Sequence, residues 1–327
     1  MNTGIGSVFA GEQSTVPGTA EQPFVVTDGL FDQTKTESDL GLSKIEGAET
    51  VTVFTATDDT DHYCNGVVMT EFKGKLYTQW QSSAKDEDAE DTWVAYSVSD
   101  DNGATWSEPK VLVPTIDNGY CSSGGWFVSG DTLVSYINVW YSDTTPRGGF
   151  AYYVESTDGE HWSEMKPVLM KDGTPMEGII EQDPHVLASG RIVNAAHFQP
   201  GLFAYPIYTD DPSGTKGWVK AQYTCMEQGE GATTSREMEP SLFVNEDGTI
   251  VMTFRDQNSS FVRLAAISTD QGETWSETVS TNMPDCRAKQ SAGNLPDGTA
   301  YLVGCSVNNK GRWPLTCLLY TSPSPRD

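Results

Sequence analysis

Short runs of alternating apolar and polar residues recur along this chain, and turns that contain glycine separate them. Clear examples are "EFKGKLYTQW" at Gly74, "SGDTLVSYI" at Gly130, "LASGRIVNAA" at Gly190 and "NEDGTIVMTF" at Gly248. Alternation with a period of two is typical of half-buried strands, and glycine beside a polar residue is typical of the hairpin between them. The pattern therefore predicts a series of antiparallel hairpins and no long helix.

A second pattern follows each hairpin. The motif S-x-D-x-G-x-T-W occurs intact at Asp101 and Asp270, and in altered form at Asp158 and Asp211. Successive aspartates lie 53 to 59 residues apart. In such a turn the aspartate accepts backbone N–H groups, glycine supplies a positive φ, and tryptophan packs in the core. Each unit of about 50–60 residues is predicted to be a four-stranded antiparallel sheet, the size of a propeller blade.

This motif resembles the Asp-box, or bacterial neuraminidase repeat, of the sialidase superfamily. The resemblance covers roughly residues 50 to 316 and implies an all-β fold, a six-bladed β-propeller of which about five blades lie in this chain. The predicted domains are an N-terminal segment (1–50), partly disordered or supplying a ring-closing strand at 22–31, and the propeller (51–316). Propellers with this motif include non-catalytic proteins, so it indicates the fold more firmly than the function.

Composition narrows the possible partners. The formal net charge of −26 argues against nucleic acid and anionic membranes, because phosphate binding needs basic patches. No apolar run is long enough to span a membrane. The six cysteines show no CxxC spacing, so we predict buried thiols and no zinc site, with a disulfide among them left open. We expect no cofactor and a glycan substrate. No signal peptide is visible, although the family implies a secreted or periplasmic location; the oligomeric state stays open.

The segment "SREMEPSLFVNEDGTIVMTFRD" holds the leading candidate site residues. Glu239 precedes a hairpin and Arg255 follows it, so both should lie on the same rim. The segment resembles the part of sialidases in which a glutamate activates a tyrosine nucleophile and an arginine binds the substrate carboxylate. Arg312 resembles a further arginine of that clamp. Planar guanidinium groups suit this task because they bind a carboxylate with two parallel bonds. An ordinary rim salt bridge is the alternative.

At other positions the sequence differs from the family's motif, or more than one residue could take a role that the family implies. Cys64 stands where the first clamp arginine is expected, and His62 could supply a weaker cation. The family's acid/base aspartate corresponds to the loop "SSAKDEDAEDTW", where Asp91 and Asp88 are favoured and Asp86 also qualifies. A solvated acidic loop is the alternative interpretation.

Four further residues complete the candidates for substrate binding. His185 precedes a hairpin and His197 follows it, which predicts the same rim arrangement as that of Glu239 and Arg255. Arg236 and Arg287 are additional rim candidates. No tight cluster of ligands accompanies the histidines, so a metal site is not favoured.

The end of the chain breaks the pattern. A hairpin at Gly298 predicts a fifth motif near residues 319–326, yet "CLLYTSPSPRD" has neither glycine nor tryptophan. Its codons can be written to resemble adapter DNA of sequencing libraries, so we expect residues 317–327 to be a non-native tail. The family's tyrosine nucleophile would then lie beyond residue 316, and this chain alone would be inactive.

Taken together, these features favour a retaining exo-glycosidase of the sialidase type that acts on terminal sialic acid or a related acidic sugar. One alternative is a propeller hydrolase or polysaccharide lyase acting on another glycan, for which His62, His185 and His197 would be candidates. Another is a non-catalytic propeller that binds glycans.

Overall fold

A computed structural model describes residues 6–7 (backbone only), 18–43 and 47–320. Five sheets, arranged as blades of a β-propeller, account for nearly all regular structure, and the only helix among these residues is a 3-10 turn at Gln33–Lys35. The predicted all-β propeller with about five blades in this chain is confirmed. No helix within the described ranges is long and apolar enough to cross a membrane.

The 21 strands among the described residues are numbered in chain order. The first is β1 (Gly6–Ser7). Blade I contains β2 (Tyr63–Phe72), β3 (Lys75–Ser83), β4 (Trp93–Ser99) and β5 (Lys110–Val113). Blade II contains β6 (Gly119–Ser129), β7 (Thr132–Tyr141), β8 (Phe150–Ser156) and β9 (Lys166–Pro167). Blade III contains β10 (Gly178–Ile179), β11 (His185–Val186), β12 (Ile192–Phe198), β13 (Phe203–Thr209) and β14 (Val219–Lys220).

Two further blades follow. Blade IV contains β15 (Glu237–Val244), β16 (Ile250–Asp256), β17 (Val262–Ser268) and β18 (Val279–Pro284). Blade V contains β19 (Ser291–Asn294), β20 (Ala300–Gly304) and β21 (Thr316–Tyr320), and β1 pairs with β21 in parallel. Residues 317–320 thus belong to a strand, while most of the fifth motif expected at 319–326 lies outside the described residues.

Strand direction divides each blade between two faces. In blades I, II and IV the sheet order follows the chain order, with antiparallel neighbours. The first hairpin and the turn after the third strand therefore lie at one end of the blade, called here the turn face. The opposite end, called here the site face, carries the starts of the first strands, the ends of the second strands and the loops that follow them.

The repeated aspartates organise the turns that precede the fourth strands. Asp101 Oδ1 accepts the Thr105 N–H at 2.8 Å, and its Oδ2 accepts the Thr105 hydroxyl at 2.6 Å. Asp270 repeats this pair of bonds with Thr274 at 2.9 and 2.6 Å. The altered copy at Asp158 accepts N–H groups of its own turn in the same manner, at 2.8 and 2.9 Å. Each turn is therefore closed by local bonds that the motif itself encodes.

The tryptophans that follow these aspartates pack between blades. Trp162 of blade II contacts Tyr96 of blade I edge-on, with ring centroids 5.6 Å apart. Trp218 of blade III is fully buried, and its indole N–H donates to the Gly214 carbonyl at 2.8 Å. The same carbonyl accepts the hydroxyl of Tyr136 in blade II at 2.6 Å. In blades II and III the motif thus closes its own turn and joins its blade to the previous one.

Polar side chains from the second strands bond to the first strand region of the next blade. Gln79 donates to the Gly125 carbonyl at 3.2 Å. Asn138 forms two bonds with the backbone of Ile180, at 2.7 and 2.9 Å. Because these amides are buried, each must find a partner, and the backbone of the next blade supplies it. These bonds fix the position of each blade, along the direction of its strands, relative to the next blade.

The first strands share an irregularity near the site face. Register shifts interrupt β2 between Asn65 and Val68, β6 between Ser123 and Trp126, and β15 between Met238 and Ser241. The first strand of blade III is split into β10 and β11 at the corresponding place, where Pro184 cannot donate to the ladder. Bulges of this kind redirect side chains at sheet ends, which matters for the site below.

The N-terminal segment covers blades IV and V. Phe24 packs edge-on against Phe243, with ring centroids 6.3 Å apart, and Leu40 is completely buried. The backbone of Val26 exchanges two hydrogen bonds with the Asn282 side chain, at 3.0 and 2.7 Å. Residues 22–31 run as irregular chain rather than as the suggested strand, and at Val26 the Asn282 side chain takes the two backbone bonds that a neighbouring strand would make.

We predict that blade stacking depends on the missing side chain at Gly214. This residue has φ +66°, and a Cβ there would lie 2.8 Å from both Phe127 Cδ1 and Tyr136 Oη. Gly190, in the same blade, has φ +88° and open space around it. Alanine at either position costs about 1 kcal/mol of backbone strain, and at Gly214 about 1–3 kcal/mol more through overpacking. Urea denaturation of Gly214→Ala and Gly190→Ala measures the difference, and equal losses would contradict the prediction.

Candidate functional site

The candidate site begins with an ion pair at the site face of blade IV. Arg255 lies at the end of β16 and Glu239 near the start of β15, and the register pairs Arg255 with Met238. Arg255 Nη1 donates to Glu239 Oε2 at 2.8 Å, and both side chains are mostly buried, with 16% and 17% of their surface exposed. The structure thus brings together the two residues that the hairpin pattern predicted to share a rim.

Glu239 occupies the bulge of β15. Its φ of +50° is unusual for a residue with a side chain, and Pro240 follows it. The Glu239 N–H donates to Nε2 of His197 at 3.2 Å, so the end of β12 in blade III holds the strained backbone in place. Strain of this kind persists where the surroundings fix it, and it is concentrated at functional sites.

Gln290 supports the same bulge from blade V. Its Nε2 donates to the Thr253 carbonyl at 2.8 Å and to the Glu239 carbonyl at 3.3 Å. Its own carbonyl accepts Nε2 of Gln182 at 2.9 Å. Blades III, IV and V therefore all bond to the backbone around Glu239.

Opposing charges act on the Glu239 carboxyl group. Burial raises its pKa, and the nearby carboxylate of Glu181 raises the pKa further. Arg255, Lys289 and Arg312 oppose this effect through their positive charges, and the net pKa is raised. The site therefore combines a carboxyl group that resists ionisation with three cations around it.

His197 is a buried partner of this group. Its side chain is only 1% exposed, and burial lowers the pKa of the imidazole. Nδ1 lies 3.2 Å from Glu181 Oε2, but the two atoms are not aligned as a hydrogen bond. Because Nε2 accepts the Glu239 N–H, the ring is neutral and its proton lies on Nδ1.

The predicted pairing of His185 with His197 is wrong. His197 lies opposite Ile179 of β10, whereas His185 of β11 lies opposite Val193, four residues further along β12. The break at Pro184 separates the two short strands, so the hairpin that joins His185 to His197 does not bring them to one rim. His185 lies deeper in the blade, where burial lowers its pKa to about 4.

The three aspartates of the acidic loop have different partners. Asp86 accepts the Asp88 N–H at 3.2 Å and Asp91 accepts the Ala84 N–H at 3.1 Å, so both stabilise the loop itself. Asp88 instead reaches blade II, where it accepts the Tyr120 hydroxyl at 2.7 Å and pairs with Arg147. Of the three, Asp88 is the one that joins two blades at the site face.

Arg147 was not predicted from the sequence. Its guanidinium lies over the Trp140 ring, 4.7 Å from the centroid, and Tyr120 stacks on Trp140 at 6.0 Å. The sequence signal is weak, because "TTPRGGF" is an ordinary turn sequence in the loop after a second strand. Lys289 was not singled out from the candidate loop "PDCRAKQSAG" that it shares with Arg287; it precedes β19, and its charge acts on the pKa of Glu239.

The remaining candidates lie at the site face in different environments. The guanidinium of Arg236 donates two hydrogen bonds to the Asp256 carboxylate, at 3.0 and 2.5 Å, so it is engaged within blade IV. His62 Nε2 lies 2.7 Å from the Thr57 carbonyl in the segment before β2. Arg312, in the loop between β20 and β21, is exposed, and Arg287 is partly buried with φ +60°.

The polar groups of the site were also searched for a cluster that could hold a metal ion. Among residues 18–43 and 47–320, no group of three or more His, Cys, Asp or Glu side chains is placed to hold a metal ion. The polar groups of the site are a carboxyl pair and several cations, a set suited to an anionic ligand.

Comparison with known proteins gives the family. A family model described as a BNR repeat-like domain matches residues 74–325, most of the chain. The chain belongs to the BNR repeat-like domain family. No match was found among curated proteins.

Solved structures resemble this BNR repeat-like chain in fold. A protein of unknown function from Dyadobacter fermentans shares 14% identity, with 77% of each chain covered and a TM-score of 0.62. The NanB sialidase from Streptococcus pneumoniae shares 16% identity and a TM-score of 0.61 over 82% of this chain and 60% of that one. The intramolecular trans-sialidase from Ruminococcus gnavus shares 14% identity and a TM-score of 0.57, with 83% and 88% covered. At these identities the likeness shows a sialidase-like propeller fold.

We predict that Glu181 controls the protonation of Glu239. Replacing Glu181 with glutamine removes a neighbouring negative charge, so the pKa of Glu239 should fall. Carboxyl carbon shifts followed by NMR through a pH titration report the pKa directly. Glu246→Gln, a change in the exposed hairpin at the turn face, is the control and should leave the pKa of Glu239 unchanged. An unchanged pKa in Glu181→Gln would contradict the prediction.

We also predict a pH dependence of stability from Asp183. Burial raises the pKa of this half-buried carboxyl from 3.8 to about 6, although it accepts the Trp126 N–H at 2.6 Å. Between about pH 4 and pH 6 the folded chain binds more protons here than the unfolded chain, so ionisation destabilises the fold as pH rises. Asp183→Asn should therefore be more stable than the parent at pH 7.5, by about 1–2 kcal/mol, and lose this advantage at pH 4. Urea denaturation at both pH values measures it, and a difference independent of pH would contradict it.

Proposed function

We propose that the site face binds the acidic sugar at the end of a glycan and is arranged for its retaining hydrolysis, the reaction of sialidases. The observation that carries the proposal is the Glu239–Arg255 pair at the bulge of β15, joined at 2.8 Å. A carboxyl group with a raised pKa beside several cations suits proton transfer next to an anionic ligand.

Each side chain has a task in this proposal. Glu239 accepts the proton of the nucleophile, and Arg255 binds the carboxylate of the sugar. Arg255 Nη1 and Nη2 donate to Glu239 and Gln257 at 2.8 and 2.9 Å, and the carboxylate of the sugar would share these donors. Arg312 and Lys289 add positive charge on the side of blade V, and Asp88 is the favoured acid/base group.

The departure at Cys64 shapes the expected ligand. With a thiol where the family's first clamp arginine is expected, the carboxylate would bind to Arg255, Arg312 and Lys289. A lysine is a point charge that does not form the paired bonds of a guanidinium. We therefore expect weaker binding of sialic acid than a clamp of three arginines would give, and tolerance of other acidic sugars.

A polysaccharide lyase is less well supported. Its candidate bases would be His62, His185 and His197, but His197 is buried and its Nε2 is engaged by the Glu239 backbone. His62 is engaged by the Thr57 carbonyl. A non-catalytic glycan-binding propeller would bind the glycan through the same cations. It differs from the hydrolase only in that Glu239 would transfer no proton.

Binding of an acidic sugar tests the proposal. We expect the α-methyl glycoside of N-acetylneuraminic acid to bind the chain, and methyl galactoside, which has no carboxylate, not to bind. Arg312→Gln should weaken binding about tenfold or more, because it removes a charged hydrogen bond from an exposed side chain. Lys310→Gln, an exposed cation in the same loop, is the matched control. Titration calorimetry measures each Kd, and equal binding of both sugars would refute the proposal.

Glu239→Gln separates catalysis from binding. The test uses a form of the protein that includes the expected tyrosine nucleophile. If Glu239 transfers a proton, this variant should lose hydrolysis of a fluorogenic sialoside while its Kd for the methyl glycoside changes little. A non-catalytic propeller would show no hydrolysis in the parent and the same Kd in the variant.

A further inference from the structure

Cys286 and Cys305 lie side by side where blades IV and V meet. Cys286 follows β18 and Cys305 directly follows β20. The Cys286 N–H donates to the Cys305 carbonyl at 3.1 Å. This single bond holds the two backbones side by side, and a disulfide needs Cα atoms roughly 4.4–6.8 Å apart.

The two thiols share one buried environment. Their residues are 1% and 4% exposed, and both belong to the apolar cluster that contains Leu302 and Val307. The other four cysteines lie elsewhere: Cys121 and Cys225 are in different clusters, Cys64 is exposed in blade I, and Cys317 is in β21. The fold therefore singles out one pair of the six.

A buried cation stands next to this pair. Arg263 is completely buried, and its Nη2 lies 3.0 Å from Asp285 Oδ1, one residue before Cys286. A Cβ at Gly304 would lie 2.9 Å from the same Nη2. Because glycine has no Cβ, the guanidinium can approach the backbone next to Cys305. A hydrogen bond from Cys286 lowers the pKa of Cys305, and the charge of Arg263 acts in the same direction.

We propose that Cys286 and Cys305, both free thiols in this structure, are a redox-active pair that closes to a disulfide in the presence of a small-molecule disulfide such as oxidised glutathione. This proposal is independent of the proposed glycan function. Because both sulfurs are buried once the blades have packed, the exchange takes place during folding or in a locally open state.

The exchange has two steps. The thiolate of Cys305 attacks one sulfur of the small disulfide, forms a mixed disulfide and releases one small thiolate, which takes up the proton lost by Cys305. The thiolate of Cys286 then attacks the Cys305 sulfur and releases the second small thiolate, which is protonated in turn. Two protein thiols are oxidised, and one small disulfide is reduced to two thiols.

The disulfide would affect the candidate site through the segment that connects blade IV to blade V. Residues 285–290 join β18 to β19 and include Gln290, which bonds to the carbonyls of Glu239 and Thr253. The disulfide fixes this connection to the end of β20. It also closes a loop of about 20 residues, a length for which a disulfide stabilises the folded state appreciably.

Peptide mapping tests the pair directly. The full chain is folded in a glutathione buffer, either oxidising or reducing, then denatured and treated with iodoacetamide. We expect four of the six cysteines to be alkylated in the oxidised sample and all six in the reduced one. Trypsin should release Leu264–Arg287 linked to Gln290–Lys310, each of which contains a single cysteine. The oxidised chain should melt several degrees higher.

Two variants control the interpretation. Cys286→Ser should lose the linked peptide and the difference in Tm between the two buffers. Cys64→Ser, at the exposed cysteine of blade I, should retain both. Six alkylated cysteines in the oxidised parent, or a link through any other cysteine, would overturn the proposal, and the map of the parent decides even if a variant fails to fold.

Discussion

Each sheet of this protein has two faces that must be covered, and only its neighbours can cover them. The second strands show this requirement most clearly, since residues 77–83 of β3 and 192–198 of β12 are buried without interruption. An isolated blade would expose one or both faces, so blades are stable only as a stack. The glycine and tryptophan of the repeated turns in blades II and III serve this need, because the glycine lets the turn approach the previous blade and the indole packs between the two blades.

The site results from the same stacking. Gln79, Asn138 and His197 come from the second strands of three successive blades, and each bonds to backbone in the first strand region of the next. His197 is therefore the third member of a structural series, and its contact with Glu239 explains its burial without any role in chemistry. What differs in blade IV is the residue at the bulge: a glutamate with a positive φ stands where blades I and II have glycine, at Gly66 and Gly124.

Local features could be predicted from the sequence, and long-range ones could not. The repeated turns are closed by bonds within four or five residues, and Glu239 and Arg255 belong to one hairpin, so periodicity and strand direction were sufficient for both. Arg147 meets Asp88 across two blades, and Lys289 approaches Glu239 from another blade, so neither follows from spacing along the chain. The predicted pairing of His185 with His197 was wrong because a single proline divides a strand that the pattern treats as continuous.

The hydrogen bonds of Gln290 limit how the sequence of such a propeller can change in evolution. A chain of similar repeats invites the view that blades are interchangeable modules, free to be duplicated, shuffled or grafted. Gln290 comes from blade V, bonds to the backbone of blade IV and receives a bond from blade III, so these three blades share one junction. Exchanging any of them would break bonds belonging to the other two. The inner ends of the blades are therefore expected to change together, whereas the outer strands and the turn face can vary separately.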